Sequence, residues 1–354
     1  MAQAAHIPVH LGSMPHAVEA ALARGPLAPG DTLMLNDPFA GGTHLPDITL
    51  VTPVFLARRA RRRLRGREPR SPRRRRGCGA GLDAARGRDL RGGVPHPAGV
   101  ARAPRARASP TCSTCCSPTF APPDERRADL TAQLGAQATG VRRLEALARA
   151  NGARALSEAA AALIRHAERA VRERLRALPR GTFRFEDALD DDGRGGGPVA
   201  IQVALTLDGR RVVADFTGSS PQARGPVNAV AAVTRAATAY AVRCVLGGDF
   251  PINHGAFLPI EIVAPPGSVV NPLPPAAVSA GNVETSQRIV DVVLGALARA
   301  LPDRVPAASY GTMSNLLIGG VDSATGRASR TTRPSPAVTA PDLRRTAPRR
   351  CRRT

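Results

Sequence analysis

A histidine and an aspartate three positions apart, His44 and Asp47, are the residues whose types and spacing best suit chemistry. An imidazole nitrogen and a carboxylate oxygen held that close together can bind one divalent cation, since transition metals accept mixed nitrogen and oxygen ligands. A catalytic metal normally takes three protein ligands and keeps one position open. The residue pattern therefore leaves two interpretations: two ligands of a metal site, or a hydrogen-bonded pair within a loop.

The residues around this pair predict a tight loop that leads into a strand. Asn36-Asp37-Pro38 favours the start of a turn, and Gly41-Gly42 allows left-handed backbone angles or a close approach to a ligand. Pro46 keeps the residue before it out of the helical region, so the pair lies on extended backbone. The β-branched run from Ile48 to Val54 then predicts a strand.

The elements that must position this loop are a mixture of helices and strands. Ser13 is a good N-cap for a helix over 14–24 that ends at Gly25-Pro26, and a strand over 32–35 follows. Further along, the apolar patterns predict helices over 123–150, 156–178, 227–246 and 285–300, and strands over 199–207, 211–216 and 260–263. The first two of these helices are expected to form an antiparallel pair, and Asp208-Gly209 predicts a β-hairpin. We therefore expect an α+β or mixed α/β fold with an antiparallel hairpin and several long helices.

The positive charge is confined to two stretches of the chain. The net charge is +22, and all 50 basic residues are arginine. Residues 57–120 carry a net charge of +15 and residues 323–354 carry +8, so the rest of the protein is close to neutral. A near-neutral remainder is what an ordinary soluble enzyme has, although the whole-chain charge alone would suggest a nucleic-acid or membrane partner.

The same two stretches have an unusual composition. They contain five of the six cysteines, leaving Cys244 as the exception, and they show neither helical nor strand periodicity. We expect residues 57–120 and 323–354 to be disordered, because they offer no apolar face to bury. A GC-rich gene that is translated out of frame yields this kind of composition, which is rich in arginine, proline, glycine, alanine and cysteine and lacks lysine. Our hypothesis is that both stretches are frameshifted translation.

Ordered motifs along the chain resemble the hydantoinase B family. That family comprises the B-type subunits or regions of N-methylhydantoinases, ATP-dependent oxoprolinases and the related acetone and acetophenone carboxylases. The motifs that carry the resemblance are Ala4–Met14, Asn36–Asp47, Leu189–Gly193, Asp215–Gln222, Gly225–Asn228, Gly281–Gln287 and Tyr310–Asn315. With their surroundings they cover roughly two-thirds of the chain.

The resemblance implies an enzyme that works with a partner. A B-type subunit would open a cyclic amide, such as a hydantoin or 5-oxoproline, together with an A-type subunit that binds ATP and phosphorylates the carbonyl oxygen of the substrate. The B subunit would complete the hydrolysis at a metal-centred site. A carboxylase ancestor is an alternative within the same family.

The resemblance also implies a set of site residues. In the related carboxylases the residues that match His44 and Asp47 are metal ligands, so a divalent cation is expected here, with zinc, manganese and magnesium all open. The third ligand is a histidine from a downstream His-rich loop, for which this sequence has no match, and His96 lies in unrelated surroundings. Further candidates to line the site are His6, His10, Asn36, Asp37, Thr43, Asn282 and Glu284.

Some of these candidates have a structural alternative. His6 and His10 flank a proline on an extended segment and are suited to a purely structural role. Glu284 lies at the start of a predicted helix, where a carboxylate complements the helix dipole. The turn Asp190–Gly193 could bind a hard cation, but a solvated turn before a strand is the simpler interpretation.

The motifs predict four regions. Residues 1–56 are the first part of the hydantoinase B-like domain, 57–121 are the aberrant arginine-rich segment, 122–322 continue the domain, and 323–354 are a basic aberrant tail. We expect the true N-terminus to be missing, because the sequence begins inside a motif that family members reach only later. Lacking a third ligand and part of its core, the chain as written is expected to be inactive.

A second class of function remains open from the sequence alone. If the arginine-rich stretches are genuine, they would bind the phosphate backbone of nucleic acids with steep salt dependence. Aromatic residues that could stack on bases are nearly absent from them, which disfavours this alternative. The sequence shows no signal peptide and no run of apolar residues long enough to span a membrane, so a cytoplasmic location is expected.

Overall fold

The protein is described here from a computed structural model, which covers residues 10, 13–44, 47–56, 99–102, 123–308, 311–312, 314–321 and 328–335. The chain divides into two compact units. The first unit consists of Met1 and residues 17–86 and 90–163, and the second of residues 2–16, 87–89 and 164–354.

The first unit contains a small antiparallel sheet. Its strands are β1 (Asp31–Leu35), β2 (Thr49–Val51) and β3 (Gly99–Arg102), with β1 in the centre. Helix α1 (Ser13–Ala23) precedes β1 and matches the helix predicted after Ser13. Strand β2 is shorter than predicted, because Pro53 has no N–H to donate and a proline is poorly tolerated inside a sheet.

Strand β1 is buried along its whole length. On one side Leu33 and Leu35 pack with Ala17 and Ala21 of α1. On the other side Met34 packs with Leu130 of the long helix α2 (Pro123–Asn151). Packing on both faces fixes the strand that leads directly into the His44 loop.

Two long helices follow in the chain. Gly152 alone separates α2 from α3 (Ala153–Arg176), and its φ of 85° is a left-handed conformation that ends the first helix. The two helices agree with the predicted ranges to within three residues at each end.

The second unit is built on a four-stranded sheet in the order β4 (Gly181–Leu189), β5 (Val199–Leu207), β6 (Val212–Asp215) and β7 (Ile260–Val263). The first three strands are antiparallel, and β7 pairs parallel to β6. The predicted hairpin at Asp208 is confirmed, since its carboxylate accepts hydrogen bonds from the N–H groups of Arg210 and Arg211 at 2.7 and 2.8 Å.

One face of this sheet carries the core of the unit. Alternate residues of β5, beginning with Val199, are buried, as the strand pleat requires. They form one apolar cluster with α4 (Ala231–Leu246) and α6 (Ser286–Ala300). Gly295 of α6 makes room for a ring of β4, because a Cβ there would lie 2.6 Å from a ring carbon of Phe185.

The remaining elements of the second unit are short. Helix α5 (His254–Phe257) is a single turn, and a π-helical turn (Gly281–Thr285) leads into α6. The strands β8 (Ser314–Val321) and β9 (Ala328–Ser335) form an antiparallel hairpin. None of the described helices combines the length and apolar character that a membrane span requires.

The α+β fold class is confirmed by these elements. Two strands lie inside the stretches expected to be disordered: β3 pairs with β1, and β9 pairs with β8. Strands β3 and β9 are therefore exceptions to the expected disorder of these two stretches. Most other residues of both stretches lie outside the described part of the chain.

Candidate functional site

The His44 loop of the first unit is shaped by Asp37. The Asp37 carboxylate accepts a hydrogen bond from the N–H of Phe39 at 2.9 Å and caps a short 3-10 turn over Pro38–Ala40. The Asp37 carbonyl accepts the N–H groups of Ala40 and Gly42, both at 3.1 Å. A Cβ at position 42 would lie 2.8 Å from that carbonyl oxygen, so only glycine fits here without a shift of the backbone.

The loop brings three polar side chains together. Nδ1 of His44 lies 2.8 Å from Oδ2 of Asp47, and the Thr43 hydroxyl donates a short hydrogen bond to the same carboxylate oxygen. Thr43 is buried, whereas the side chains of His44 and Asp47 are 24% and 28% exposed. The buried Thr43 therefore holds the Asp47 carboxylate in place, and the His44–Asp47 pair remains accessible to solvent.

This geometry brings the two side chains close enough to serve as ligands of one divalent cation. Their nitrogen–oxygen distance of 2.8 Å is that of a hydrogen bond, whereas two ligands about 2.0–2.2 Å from one metal lie about 3.0–3.5 Å apart, so the pair would separate slightly to bind one. The same distance also suits a carboxylate that orients an imidazole. Among the described residues, no group of three or more histidine, cysteine, aspartate or glutamate side chains forms a metal-binding cluster.

The second unit has its own polar cluster, which begins at Asp192. The Asp192 side chain is buried, and its oxygens accept the N–H groups of Arg194 at 2.9 Å, Gly196 at 3.2 Å and Gly225 at 2.8 Å. Burial acts to raise the pKa of this carboxyl, but the backbone N–H donors, led by that of Gly225, hold the pKa below its ordinary value. Asp192 therefore ties the turn after β4 to the loop that contains Gly225.

Asn228 extends the cluster to a third loop. Its side chain is fully buried; Oδ1 accepts the N–H of Ala223 at 2.7 Å. Its Nδ2 lies within hydrogen-bonding reach of the carbonyls of Ala223, Gly225 and Ala277, at 3.0, 3.0 and 2.8 Å. One amide thus joins loop 223–228 to the loop that leads into the π-helical turn.

The π-helical turn is packed tightly against the same loop. A Cβ at Gly281 would lie 1.9 Å from the Asn228 carbonyl oxygen, and the Thr285 hydroxyl donates a short hydrogen bond to the Val227 carbonyl. Asn282 is 7% exposed, and its Oδ1 has no hydrogen-bond partner among the described residues. π-Helical turns within helices occur frequently at functional sites.

One hydrogen bond and two contacts of Arg288 with carboxylates complete the cluster. The Thr312 hydroxyl donates a short hydrogen bond to Glu284. Arg288 of α6 forms an ion pair with Asp187 of β4, and Asp291 lies 4.0 Å from the same guanidinium nitrogen. The motifs Gly281–Gln287 and Tyr310–Asn315 are therefore in contact, although they are separate in sequence.

The structure brings some predicted site residues together and places others apart. Asn36, Asp37, Thr43, His44 and Asp47 lie in one loop of the first unit, with Asn36 buried at the end of β1. Asn282 and Glu284 lie on the π-helical turn of the second unit. His10 is half-buried, and its carbonyl accepts the Ser13 hydroxyl at 3.0 Å. His6 lies outside the described residues.

The sequence did not indicate Asp192, Asn228, Arg288 or Thr312 as members of a cluster. Asp192 was expected on a solvated turn, and it is buried because loop 223–228 covers it. Asn228 and Thr312 lie in motifs that carried the family resemblance, and these motifs were the sequence feature that could have indicated them as site residues.

Comparison of the sequence with known families finds a match over most of the chain. The sequence profile described as hydantoinase B/oxoprolinase matches residues 1–64 and 113–337. Residues 65–112, inside the first arginine-rich stretch, are not matched, whereas the match does extend into the second stretch as far as 337.

Similar proteins come from distant organisms. An uncharacterized protein of Methanocaldococcus jannaschii is 33% identical over 340 residues, which cover 90% of this chain and 57% of that protein. The 5-oxoprolinase 1 of Arabidopsis thaliana is 33% identical over 346 residues, covering 90% of this chain and 26% of the plant protein. The chain thus spans about half of the first relative and a quarter of the second.

A solved structure shares the fold. The crystal structure of an ATP-dependent caprolactamase from Pseudomonas jessenii superimposes with a TM-score of 0.76 and 24% identity, covering 92% of this chain and 56% of that one. The names of these proteins give no support to a nucleic-acid-binding function.

Proposed function

The chain belongs to the hydantoinase B/oxoprolinase family, and from this we propose that it is the B-type component of an ATP-dependent enzyme that opens cyclic amides. The proposed substrates are hydantoins or 5-oxoproline, in line with the name of the plant relative. The observation that carries the proposal is the contact of His44 with Asp47 in a loop that two backbone hydrogen bonds and Gly42 hold in shape.

His44 and Asp47 are the residues that would hold a divalent cation. Such a cation, when bound, polarises a carbonyl group or lowers the pKa of an attacking water. The contribution of the chain itself is positional: the Thr43 hydroxyl holds the Asp47 carboxylate, and that carboxylate fixes the orientation of the His44 imidazole. Asn36 and Asp37 shape the backbone of the loop, and we assign them a supporting role.

The second unit is proposed to contact the substrate through the π-helical turn. Asn282 carries a buried carbonyl oxygen with no partner among the described residues, and such an atom calls for a donor from outside them, such as a substrate N–H or an ordered water. Glu284 is held by Thr312 and offers a carboxylate on the same turn. We assign both residues to polar recognition of the substrate, and His6 and His10 stay candidates for the lining.

An ATP-binding A-type subunit is the proposed partner. Its proposed task is to transfer a phosphoryl group from ATP to the carbonyl oxygen of the cyclic amide, which makes the carbonyl carbon a better electrophile. Water then adds to that carbon, the ring C–N bond breaks as the nitrogen takes up a proton, and the resulting acyl phosphate is hydrolysed to a carboxylate and phosphate. The ATP dependence in the name of the caprolactamase that shares this fold is consistent with this division of work. A cytoplasmic location stays a prediction.

The stretch 57–121 is proposed to be out of frame, and its replacement of family sequence is expected to abolish activity. The family profile leaves most of this stretch unmatched. The missing sequence would include the histidine that serves as the third metal ligand. Two ligands alone bind a catalytic metal weakly, because such sites normally have three.

A hybrid protein tests the proposal. Residues 57–121 are replaced by the corresponding segment of the Arabidopsis 5-oxoprolinase, and the hybrid is co-expressed with an A-type subunit. Ring opening of 5-oxoproline and of hydantoin is measured by product formation and by ADP release. We expect ATP-dependent turnover by the hybrid, none by the chain as written, and a large loss in the His44→Ala and Asp47→Asn hybrids.

Two results would contradict the proposal. One is a folded hybrid complex that opens neither ring. The other is a His44→Ala hybrid as active as its parent, which would separate this loop from the chemistry. The exposed His166→Ala variant controls for general effects of removing a histidine.

A further inference from the structure

A cavity of about 260 Å³ lies beside the β4–β5 pair of the second unit, away from the polar cluster described above. Arg184, Glu186, Gln202, Ala204, Thr217 and Arg299 contribute to its lining. Arg184 lies directly opposite Ala204 in the strand register, and Glu186 lies opposite Gln202. Phe185 and Val203, which alternate with these residues along the two strands, also contribute to the lining, and the apolar core packs against them.

The cavity carries two guanidinium groups with no ion-pair partner. Among the described residues, neither Arg184 nor Arg299 forms a salt bridge, and Glu186 pairs with neither of them although it lines the same space. The Arg299 guanidinium lies over the Phe185 ring, 5.8 Å from its centroid, which holds it at the cavity. The charged lining thus has a net charge of +1 and two forks of free N–H donors.

A fixed loop forms the rim of the cavity. The Ser219 hydroxyl accepts the N–H of Gln202 at 3.1 Å, and the Ser220 hydroxyl accepts that of Ala200 at 2.9 Å, so the loop after β6 is attached to β5. Gly218 has a φ of 100°, and a Cβ there would lie 2.9 Å from the Gln202 side-chain oxygen. The motif Asp215–Gln222 supplies this rim, and the proposed enzymatic function gives it no other task.

We propose that this cavity binds a small oxyanion, either a carboxylate or a phosphate. Planar guanidinium groups recognise both through paired N–H donors. The Gln202 amide and the Thr217 hydroxyl supply further hydrogen-bonding groups at the same cavity. The volume lies below the range of about 300–1,000 Å³ that drug-sized ligands occupy, so the ligand is a small one. This site is separate from the proposed catalytic loop and goes beyond the proposed function.

Isothermal titration calorimetry with two probes tests the site and identifies its ligand. Inorganic phosphate and L-glutamate are titrated separately into the full chain at fixed ionic strength, because the arginine-rich stretches bind anions without specificity. A saturable 1:1 isotherm with phosphate alone indicates a phosphate site, and one with glutamate alone indicates a carboxylate site. Either isotherm supports the proposal if it responds to the cavity variants.

Variants of the cavity residues distinguish specific anion binding in the cavity from non-specific binding to arginines on the surface. Arg184→Gln and Arg299→Gln should each weaken binding by at least about tenfold, the usual effect of losing a charge-assisted hydrogen bond. Ala204→Leu fills the cavity without changing any charge and should abolish binding. Arg235→Gln removes an exposed arginine of α4 outside the cavity lining and should bind like the unaltered chain.

The proposal fails if neither probe gives a saturable 1:1 isotherm with the unaltered chain. It also fails if Ala204→Leu, folded by circular dichroism, binds as tightly as the unaltered chain, since the anion is then held by surface charge alone. Arg184→Gln leaves the stack of Arg299 on Phe185 in place, so its result does not depend on that packing.

Discussion

Gly281 lies against the backbone carbonyl of Asn228 so closely that a Cβ at 281 would approach its oxygen to 1.9 Å and its carbon to 2.6 Å. Nδ2 of Asn228 meanwhile lies within hydrogen-bonding reach of three backbone carbonyls in two loops. The π-helical turn that carries Asn282 and Glu284 and leads into α6 is therefore fixed by close backbone packing and by the hydrogen bonds of one buried amide. A substitution at Gly281 or Asn228 should therefore act mainly by lowering the stability of the second unit, because both residues make buried contacts.

The first prediction concerns Gly281→Ala. The added methyl group has no room, so the π-helical turn must move away from loop 223–228, and we expect a loss of about 2–4 kcal/mol in the free energy of unfolding. Urea denaturation followed by circular dichroism measures this loss. Gly135→Ala in α2 is the control: no atom lies within 4 Å of the new Cβ, and the change should stabilise by up to about 1 kcal/mol. Equal effects of the two variants would contradict the packing described here.

The second prediction concerns Asn228→Asp, which keeps the shape of the side chain. The new oxygen faces the carbonyls of Ala223, Gly225 and Ala277 in place of an N–H donor. Because buried acceptors are then left without donors, we expect a loss of about 3 kcal/mol or more in the free energy of unfolding. Asn151→Asp, at an exposed position with one hydrogen bond to Leu147, should lose less than about 1 kcal/mol. A loss below that of the control would show that Asn228 does not hold these loops.

The third prediction concerns the acid sensitivity of Asp192. Burial opposes its ionisation, but backbone N–H donors keep its pKa in the folded state below the ordinary value of 3.8. A carboxyl with a lowered pKa in the folded state stabilises the protein at pH values above its unfolded pKa. That stabilisation is lost as the pH falls through the folded pKa. Asp192→Asn should therefore lower the Tm at pH 7 and flatten the fall in Tm between about pH 5 and pH 3.

The exposed neighbour Asp190 supplies the matched control for this measurement. Asp190→Asn should leave the slope of Tm against pH close to that of the unaltered chain. Parallel slopes for the Asp192→Asn variant and the unaltered chain would show that another group causes the acid sensitivity.

Local sequence signals predicted much of the fold. The strand Val199–Leu207 was predicted with its observed bounds, because alternate apolar residues and the Asp208-Gly209 turn act over a few residues. Helix α6 was predicted over 285–300 and is observed over Ser286–Ala300, but the π-helical turn that precedes it was not predicted. In that turn Gly281 packs on Asn228, a contact between residues far apart in sequence that no periodicity signals.

The same distinction holds for the candidate sites. Thr43, His44 and Asp47 are neighbours in sequence, so their contact followed from spacing and turn residues. The ion pair of Arg288 with Asp187 joins residues 101 positions apart and depends on how α6 lies on β4. The local pattern of the sequence therefore predicts the contact within the His44 loop, whereas it does not predict the cluster held by tertiary contacts.

The last prediction concerns metal binding by the His44 loop. With two ligands in place, the chain as written should bind zinc or manganese weakly but measurably, and His44→Ala and Asp47→Asn should each remove that binding. Equilibrium dialysis with metal analysis by mass spectrometry measures the bound fraction. Thr43→Val keeps both ligands but removes the hydroxyl that holds Asp47, so it should weaken binding by up to about 10–100-fold. His166→Ala, an exposed position on α3, should bind like the unaltered chain. If all four variants bind equally, the pair serves only to hold the loop.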